Sequence, residues 1–386
     1  MNTQSSNITN IPYDFPKVSH VKYLQDVLHF TISDLDLSIA NGIRRTLISN
    51  IPTVVMKGFP HEESNIHITK NTSKLNNEII KMRLSCIPIH VEDANVSIDD
   101  LQNLQVQVSV KNTSKNVIYL TTEHFTIYNK SSKKFADKSF VQTLFPKNDY
   151  TNYFIDILRL QPPLINESVG EEIEFMADLG IATASEDAAF NVVCTCAYSY
   201  TPDPQKLEEA WNFEKTKHDA AELTENMKIN WTTLNKERYY VPNSFDFKVE
   251  SVGSYKNETL IVMACDILAR NIASMIQHIA ANQNLIQKSR YISEFCYDVI
   301  LENENYTVGK IIERELFNLF FTPNSDSSIL TFCGFLKEHP FENNSIIRIA
   351  FSQNQSNEYI LNCLNQASEN SVKRLIEISK YFKTKQ

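Results

Sequence analysis

Apolar positions along Leu35 to Val55 repeat with helical spacing. Ile39, Ile43, Leu47 and Ile51 recur every four residues, and Ala40 and Ile48 widen the stripe to a full face. Ser33 or Asp34 stands where a helix N-terminus needs a cap, and Pro52 follows as a stop signal. Within that helix Gly42 costs about 1 kcal/mol against alanine. Another backbone or side chain lying close to it explains such a residue. Arg44 and Arg45 follow on the flank of the apolar face. A buried face, a small contact residue and two fixed guanidiniums suit assembly better than catalysis.

The pattern returns late in the chain. Setting residue n against n+269 pairs Ser38 with Thr307, Ile39 with Val308, Ala40 with Gly309 and Ile43 with Ile312. The same offset pairs Arg45 with Arg314, Leu47 with Leu316, Ile51 with Phe320 and Thr53 with Thr322. A short apolar strand then ends in Gly58-Phe59 in the first copy and in Gly334-Phe335 in the second. A histidine and an alternating strand follow each, at 66–68 and 347–349. Helix, strand, Gly-Phe and strand in one order predict an internal duplication of a strand-bearing unit.

Elsewhere the period decides the element. Val18 to Thr31 alternates and predicts a strand leading into the helix, and 54–59 and 66–69 predict a strand pair. Asn76 or Asn77 can cap a short helix carrying Ile79, Ile80, Met82 and Leu84, which Pro88 ends. From Val91 to Tyr200 the period is two, strictest at Leu104, Val106, Val108 and Val110, which predicts a separate β-rich domain. Residues 201–240 turn charged and helical, with Trp211 and Trp231. After a strand at Phe245 to Glu250, two helices carry three-four stripes, from Ile261 to Ile279 and from Ile360 to Phe382. Helices crossing at a shallow angle want that seam.

Composition narrows the function. The 386 residues carry 42% hydrophobic and 22% charged positions and a net charge of -9, an ordinary globular balance without the basic footprint of a nucleic-acid-binding domain. No continuous apolar run has the ~20 residues of a membrane span, and the N-terminus lacks the pattern of a secretory signal. Seven cysteines without secretory context read as reduced intracellular thiols. Cys194 and Cys196 form the only close pair and have no second pair at metal-ligand spacing. Seven glycines, no two within three residues, exclude a dinucleotide fingerprint and a P-loop. No dense acidic motif suits two Mg²⁺ ions, and no nucleophile elbow or paired-histidine motif occurs.

Three blocks carry a family likeness: Ala40 to Val55, Asn71 to Ile89, and Phe245 to Tyr255. They resemble the alpha-like members of cellular RNA polymerases: bacterial alpha, its archaeal D-type relative and the third subunit of polymerase II. Asn303 to Phe317 and Leu330 to Phe351 resemble the small partner, the archaeal L-type protein or the eleventh subunit of polymerase II. The likeness runs over roughly residues 18–382 and makes the chain look like both members of that heterodimer fused, as in large DNA viruses of eukaryotes.

The resemblance implies an α+β fold. Two alpha-subunit-type dimerisation units form an intrachain pseudo-dimer, and a β-rich domain is inserted in the first. The implied parts are a flexible tail at 1–17, a first unit at 18–58 and 243–285, an inserted domain at 59–242, and a second unit at 290–386. A charged helical connector at 201–242 closes the inserted domain. Ile39, Ile43, Leu47, Val308, Ile312 and Leu316 fall at the implied internal interface, and Arg44 and Arg45 match the arginines that contact the second-largest subunit. The implied function is a non-catalytic assembly platform of a multisubunit DNA-directed RNA polymerase. Its expected partners are the second-largest and then the largest subunit, with small subunits of the tenth- and twelfth-subunit types. No membrane and no sequence-specific DNA binding is expected. The expected location is intracellular: virion and host cytoplasm for a viral chain, nucleus for a cellular one. Many relatives bind zinc or iron–sulfur through cysteines in the inserted domain; His90 to Val110 has none, so no metal or cofactor is expected. The family's basic, Trp-bearing segment is replaced by Leu179 to Asn191. A homodimeric scaffold unrelated to transcription is the alternative.

Overall fold

The structure is a computed structural model that describes residues 15–92, 98–164, 170–218, 224–289, 295–321 and 329–384. Most of the expected tail, together with Thr322, lies outside those residues, and Lys17 already belongs to a strand. Strands β1 (Lys17–Leu24) and β2 (Val27–Ser33) lead into helix α1 (Leu37–Ser49). There follow β3 (Thr53–Val55), β4 (Ile66–Asn71), α2 (Asn77–Ser85), α3 (Ile98–Leu101), β5 (Leu104–Lys111) and β6 (Ile118–Thr121). Next come β7 (Thr126–Asn129), β8 (Lys134–Phe135), α4 (Lys138–Leu144), β9 (Asp156–Leu160), β10 (Glu172–Asp178) and β11 (Gly180–Ala182). After β12 (Val193–Pro202) come α5 (Pro204–Lys215), α6 (Glu225–Asn235), β13 (Tyr240–Ser251) and α7 (Asn257–Ala281). The last elements are β14 (Ile286–Lys288), β15 (Cys296–Leu301), α8 (Tyr306–Phe320), β16 (Leu330–Leu336), β17 (Ser345–Phe351) and α9 (Asn357–Lys383).

This mixed helix-and-sheet chain forms two compact units. One comprises the described residues of Met1–Thr46, Thr195–Val249 and Ile261–Gln386; the other comprises those of Leu47–Cys194 and Glu250–Leu260.

In the first unit two four-stranded sheets share one strand order, β1-β2-β13-β12 and β14-β15-β17-β16. The registers agree as well. Phe30 faces Phe247 across β2 and β13, and Val299 faces Ile347 across β15 and β17. Val299 is Phe30 displaced by the offset of 269, whereas Ile347 is Phe247 displaced by 100. The offset of 100 also carries the start of α7 onto the start of α9. Each sheet with its helices therefore runs two strands, helix, two strands, helix, and in the first there is a long stretch of chain between the helix and the last two strands.

This corrects the strand correspondence expected from the sequence. The strands after α1 do not match β16 and β17, and they do not pair with each other. Strand β3 pairs with β11, and β4 with β10. Topologically, β12 and β13 are the counterparts of β16 and β17. The glycines that suggested the match serve different neighbours. A methyl on Gly58 would lie 2.7 Å from Ser85 Oγ, and one on Gly334 would lie 2.8 Å from the Phe332 ring.

Aromatic rings hold the first unit's core. Phe30 stacks on Phe247 with centroids 5.1 Å apart, and Phe382 of α9 meets Phe30 edge-on at 5.1 Å. Asp266 of α7 accepts from Ser379 Oγ and Lys383 Nζ, each at 2.9 Å, so α7 and α9 are also joined at their polar margin. By length and apolarity α7 could cross a membrane. Its apolar stripe, from Ile261 through Cys265, Leu268 and Ile272 to Ile279, is buried in the protein, as in a core helix.

In the second unit, β4-β10-β5-β7-β8 form a sheet whose neighbouring strands are all antiparallel, with the ribbons β3–β11 and β6–β9 beside it. Leu104, Val106 and Val108 turn inward from β5, as their period of two requires, and Phe125 packs edge-on against Phe145 and Phe175.

Burial of the Phe382 ring against Phe30 gives the first prediction. Phe382→Ala should lower stability by about 3 kcal/mol in urea unfolding. A loss below about 1 kcal/mol would mean that the end of α9 is not docked on the sheet.

Candidate functional site

The residues singled out in the sequence gather on α1 and α8. Ile39, Ile43, Leu47, Val308, Ile312 and Leu316 are all buried. The approach of the two helices is fixed at Gly42, where an added methyl would lie 2.8 Å from Ile311 Cδ1 and 3.1 Å from Leu268 Cδ2. Its missing side chain is what admits Ile311, so the mid-helix glycine has its close neighbour. Ile311 and Leu268 were not among the expected contact residues. The signal was present, since the offset of 269 carries Gly42 onto Ile311.

Polar contacts flank this point on both sides. Arg45 Nε donates to Thr307 Oγ1 at 2.8 Å. Arg314 Nε donates to Asp36 Oδ2 at 3.0 Å. The other oxygen of Asp36 caps α1, accepting from Ser38 N at 2.8 Å and Ser38 Oγ at 2.6 Å. In the same way Asn305 Oδ1 caps α8, accepting from Thr307 N at 2.9 Å. Asp36, not Ser33 or Asp34, is thus the cap. The contacts are reciprocal: each arginine reaches the first turn of the other helix, and Asp36, Ser38 and Arg45 correspond to Asn305, Thr307 and Arg314.

Arg44 is placed differently from Arg45. Its Nε and Nη2 donate to Asn41 Oδ1 at 3.0 and 2.9 Å, within its own helix. Its carbonyl accepts from Cys196 Sγ at 3.9 Å. Burial pushes the Cys196 thiol up to about 12, although the Arg44 charge acts the other way, and the same two influences leave Tyr198 raised. Cys194 is exposed, and among the described residues no group of three His, Cys, Asp or Glu side chains is placed to hold a metal ion.

Beside the start of α1 opens a cleft of about 550 Å³, lined by Asp36, Asn41, Tyr198, Tyr200, Tyr240, Lys310 and Arg314 among others. Tyr200 stacks on Tyr240 at 4.3 Å and leans on Phe245 at 5.1 Å. Lys310 pairs with Glu313 at 2.6 Å, and Arg314 with Asp36. Aromatic faces edged by paired charges have the chemistry of a polypeptide contact.

Comparison with known proteins gives the same direction. The model of the RNA polymerase Rpb3/Rpb11 dimerisation domain matches residues 29–272. The DNA-directed RNA polymerase subunit Rpo3 of Methanosphaera stadtmanae is 23% identical over 279 residues, which cover 65% of this chain and 93% of that one. The subunit RPAC1 of DNA-directed RNA polymerases I and III from Saccharomyces cerevisiae is 24% identical over 295 residues, 66% of this chain and 84% of its own. Human RPAC1 is 28% identical over 216 residues, 50% of this chain and 56% of its own.

The reciprocal contacts and the half-buried thiol are both testable. A double-mutant cycle on Asp36→Asn and Arg314→Gln should return a coupling of about 1 kcal/mol in urea unfolding, because Asp36 is largely buried while Arg314 is partly exposed. A coupling near zero would remove the pair from the interface. With iodoacetamide at pH 8, exposed Cys86 and Cys194 should alkylate well before Cys196, read by peptide mass spectrometry. Faster labelling of Cys196 would contradict its partial burial and raised thiol.

Proposed function

The chain belongs to the RNA polymerase Rpb3/Rpb11 dimerisation domain family, and from that premise we propose that it is a non-catalytic assembly platform of a multisubunit DNA-directed RNA polymerase. Two alpha-subunit-type dimerisation units of one polypeptide, the first carrying an inserted β-rich domain, pair as an intrachain pseudo-dimer. The observation that carries this reading is the reciprocity around Gly42. A two-fold pairing exchanges the roles of its two halves. Arg45 reaches Thr307 at the start of α8 and its counterpart Arg314 reaches Asp36 at the start of α1, so the matched arginines each hold the N-terminal end of the other helix, though on neighbouring rather than matched acceptors.

Fusion has a physical consequence. Association of two separate chains costs about 4–15 kcal/mol in lost rigid-body freedom. A tether replaces that step with pairing at high effective concentration. The platform then presents preformed surfaces to the second-largest subunit first and to the largest next, with small subunits of the tenth- and twelfth-subunit types beside it. Because Arg45 is engaged across to α8 through Thr307 whereas Arg44 is held only within its own helix, Arg44 is the stronger candidate for contact with the second-largest subunit. Its planar fork is held on Asn41 and can offer its remaining donors to carboxylates or backbone carbonyls. The fused arrangement, and with it an origin in a large DNA virus of eukaryotes, belongs to the same proposal.

Co-expression with the two large polymerase subunits of its own organism tests it. The chain should co-purify with the second-largest subunit, and Arg44→Glu should weaken that complex at least about tenfold, a loss of ~1.4 kcal/mol, without changing the chain's own unfolding. Failure of the wild-type chain to bind either large subunit would sink the proposal. Elemental analysis of the purified complex should assign no stoichiometric zinc or iron to this chain.

A further inference from the structure

The repeat touches itself at one position. The offset of 269 makes Gly42 and Ile311 counterparts, and they are also neighbours, with Ile311 Cδ1 2.8 Å and Cγ1 3.7 Å from the place a Gly42 methyl would occupy. In a two-fold pairing, a position that meets its own counterpart lies on the axis. The arginine contacts flank that point on either side, as an axis there requires.

On a true two-fold axis both positions carry the same residue. Two glycines would leave a void where Ile311 now sits buried, and two isoleucines would compete for one space. Only the unlike pair fills the site once. The flanking polar contacts discriminate less. If two first copies paired, Arg45 would face Asp36, a favourable match, so charge alone would not prevent pairing of like with like. We infer that the Gly42–Ile311 step is the specificity determinant of the interface: it favours pairing of unlike copies, so that the chain closes on itself rather than pairing through like copies with a second molecule. This rests on the pseudo-dimer reading above and adds to it the residues that choose the partner.

The test uses the full chain, thermal unfolding and solution mass by light scattering. Gly42→Ile puts knob on knob and Ile311→Gly puts hole on hole; each should lower the midpoint by about 5–10 °C, and Ile311→Gly should add a dimeric fraction. The exchange Gly42→Ile/Ile311→Gly keeps the composition and rebuilds the step with its sense reversed. It should recover more than half of the summed loss and return the chain to monomer. Should Gly42→Ile fail to fold alone, Gly42→Val with Ile311→Ala runs the same cycle more gently. Additive losses in the exchange variant would overturn the inference, as would a wild-type midpoint for Gly42→Ile. If the losses add while the Asp36–Arg314 coupling persists, the specificity step is wrong and the pairing stands. If both vanish, the pairing itself is wrong. Binding of polymerase subunits enters neither readout.

Discussion

Close approach of α1 and α8 at Gly42 is the constraint on which the first compact unit depends. A glycine in mid-helix costs about 1 kcal/mol relative to alanine. Here it opens room for a fully buried isoleucine, whose burial contributes roughly 1.5–3 kcal/mol. The contact also sets the register of two helices far apart in sequence. With Ile311 seated on Gly42, Arg45 comes within reach of Thr307 and Arg314 within reach of Asp36. A wider separation would leave Asp36 buried without its cation, and a buried, unpaired carboxylate is costly. The apolar contact and the two polar ones therefore support a single arrangement.

The sheets add a second constraint of the same kind. Strands β2 and β13 are more than 200 residues apart, yet their pairing places Phe30 on Phe247 and makes the ring surface that Phe382 covers. Loop-closure entropy rises only slowly with loop length. A long stretch of chain between α1 and β12 therefore adds little cost, provided that stretch has a core of its own. The ring cluster of Phe125, Phe145 and Phe175 and the inward face of β5 supply one. Two offsets, 269 before the extra chain and 100 after it, are the trace this leaves in the sequence.

What could be read from the sequence was local. The period of four through Ile39, Ile43 and Leu47 gave α1, and the same period with the same offset gave α8. The position of Gly42 announced a close neighbour. Strand partners were not legible, because a period of two fixes which face of a strand is buried and not which strand lies beside it. That is why the strands after α1 suggested each other when their partners were β10 and β11. The β1–β2 hairpin was hidden too, since its turn runs through Gln25 in the left-handed region rather than through a glycine. The cap was read two or three residues early, at Ser33 or Asp34, whereas Asp36 caps α1. Its second role, toward an arginine 278 residues away, has no local signature.

The two matched stretches differ in chemistry where their side chains are buried. Glu315 of α8 is almost fully buried; burial raises its carboxyl, and Arg374 of α9, 3.4 Å away, opposes that shift. By the offset of 269 the counterpart of Glu315 is Thr46, which is also buried, and by the offset of 100 the counterpart of Arg374 is Ser274. Where one copy has a carboxylate and a guanidinium, the other has two hydroxyls. Burial allows both charges or neither, because a lone ion at either position would keep its full desolvation cost. Such paired replacements make the two stretches chemically distinct and leave no lone ion at either position.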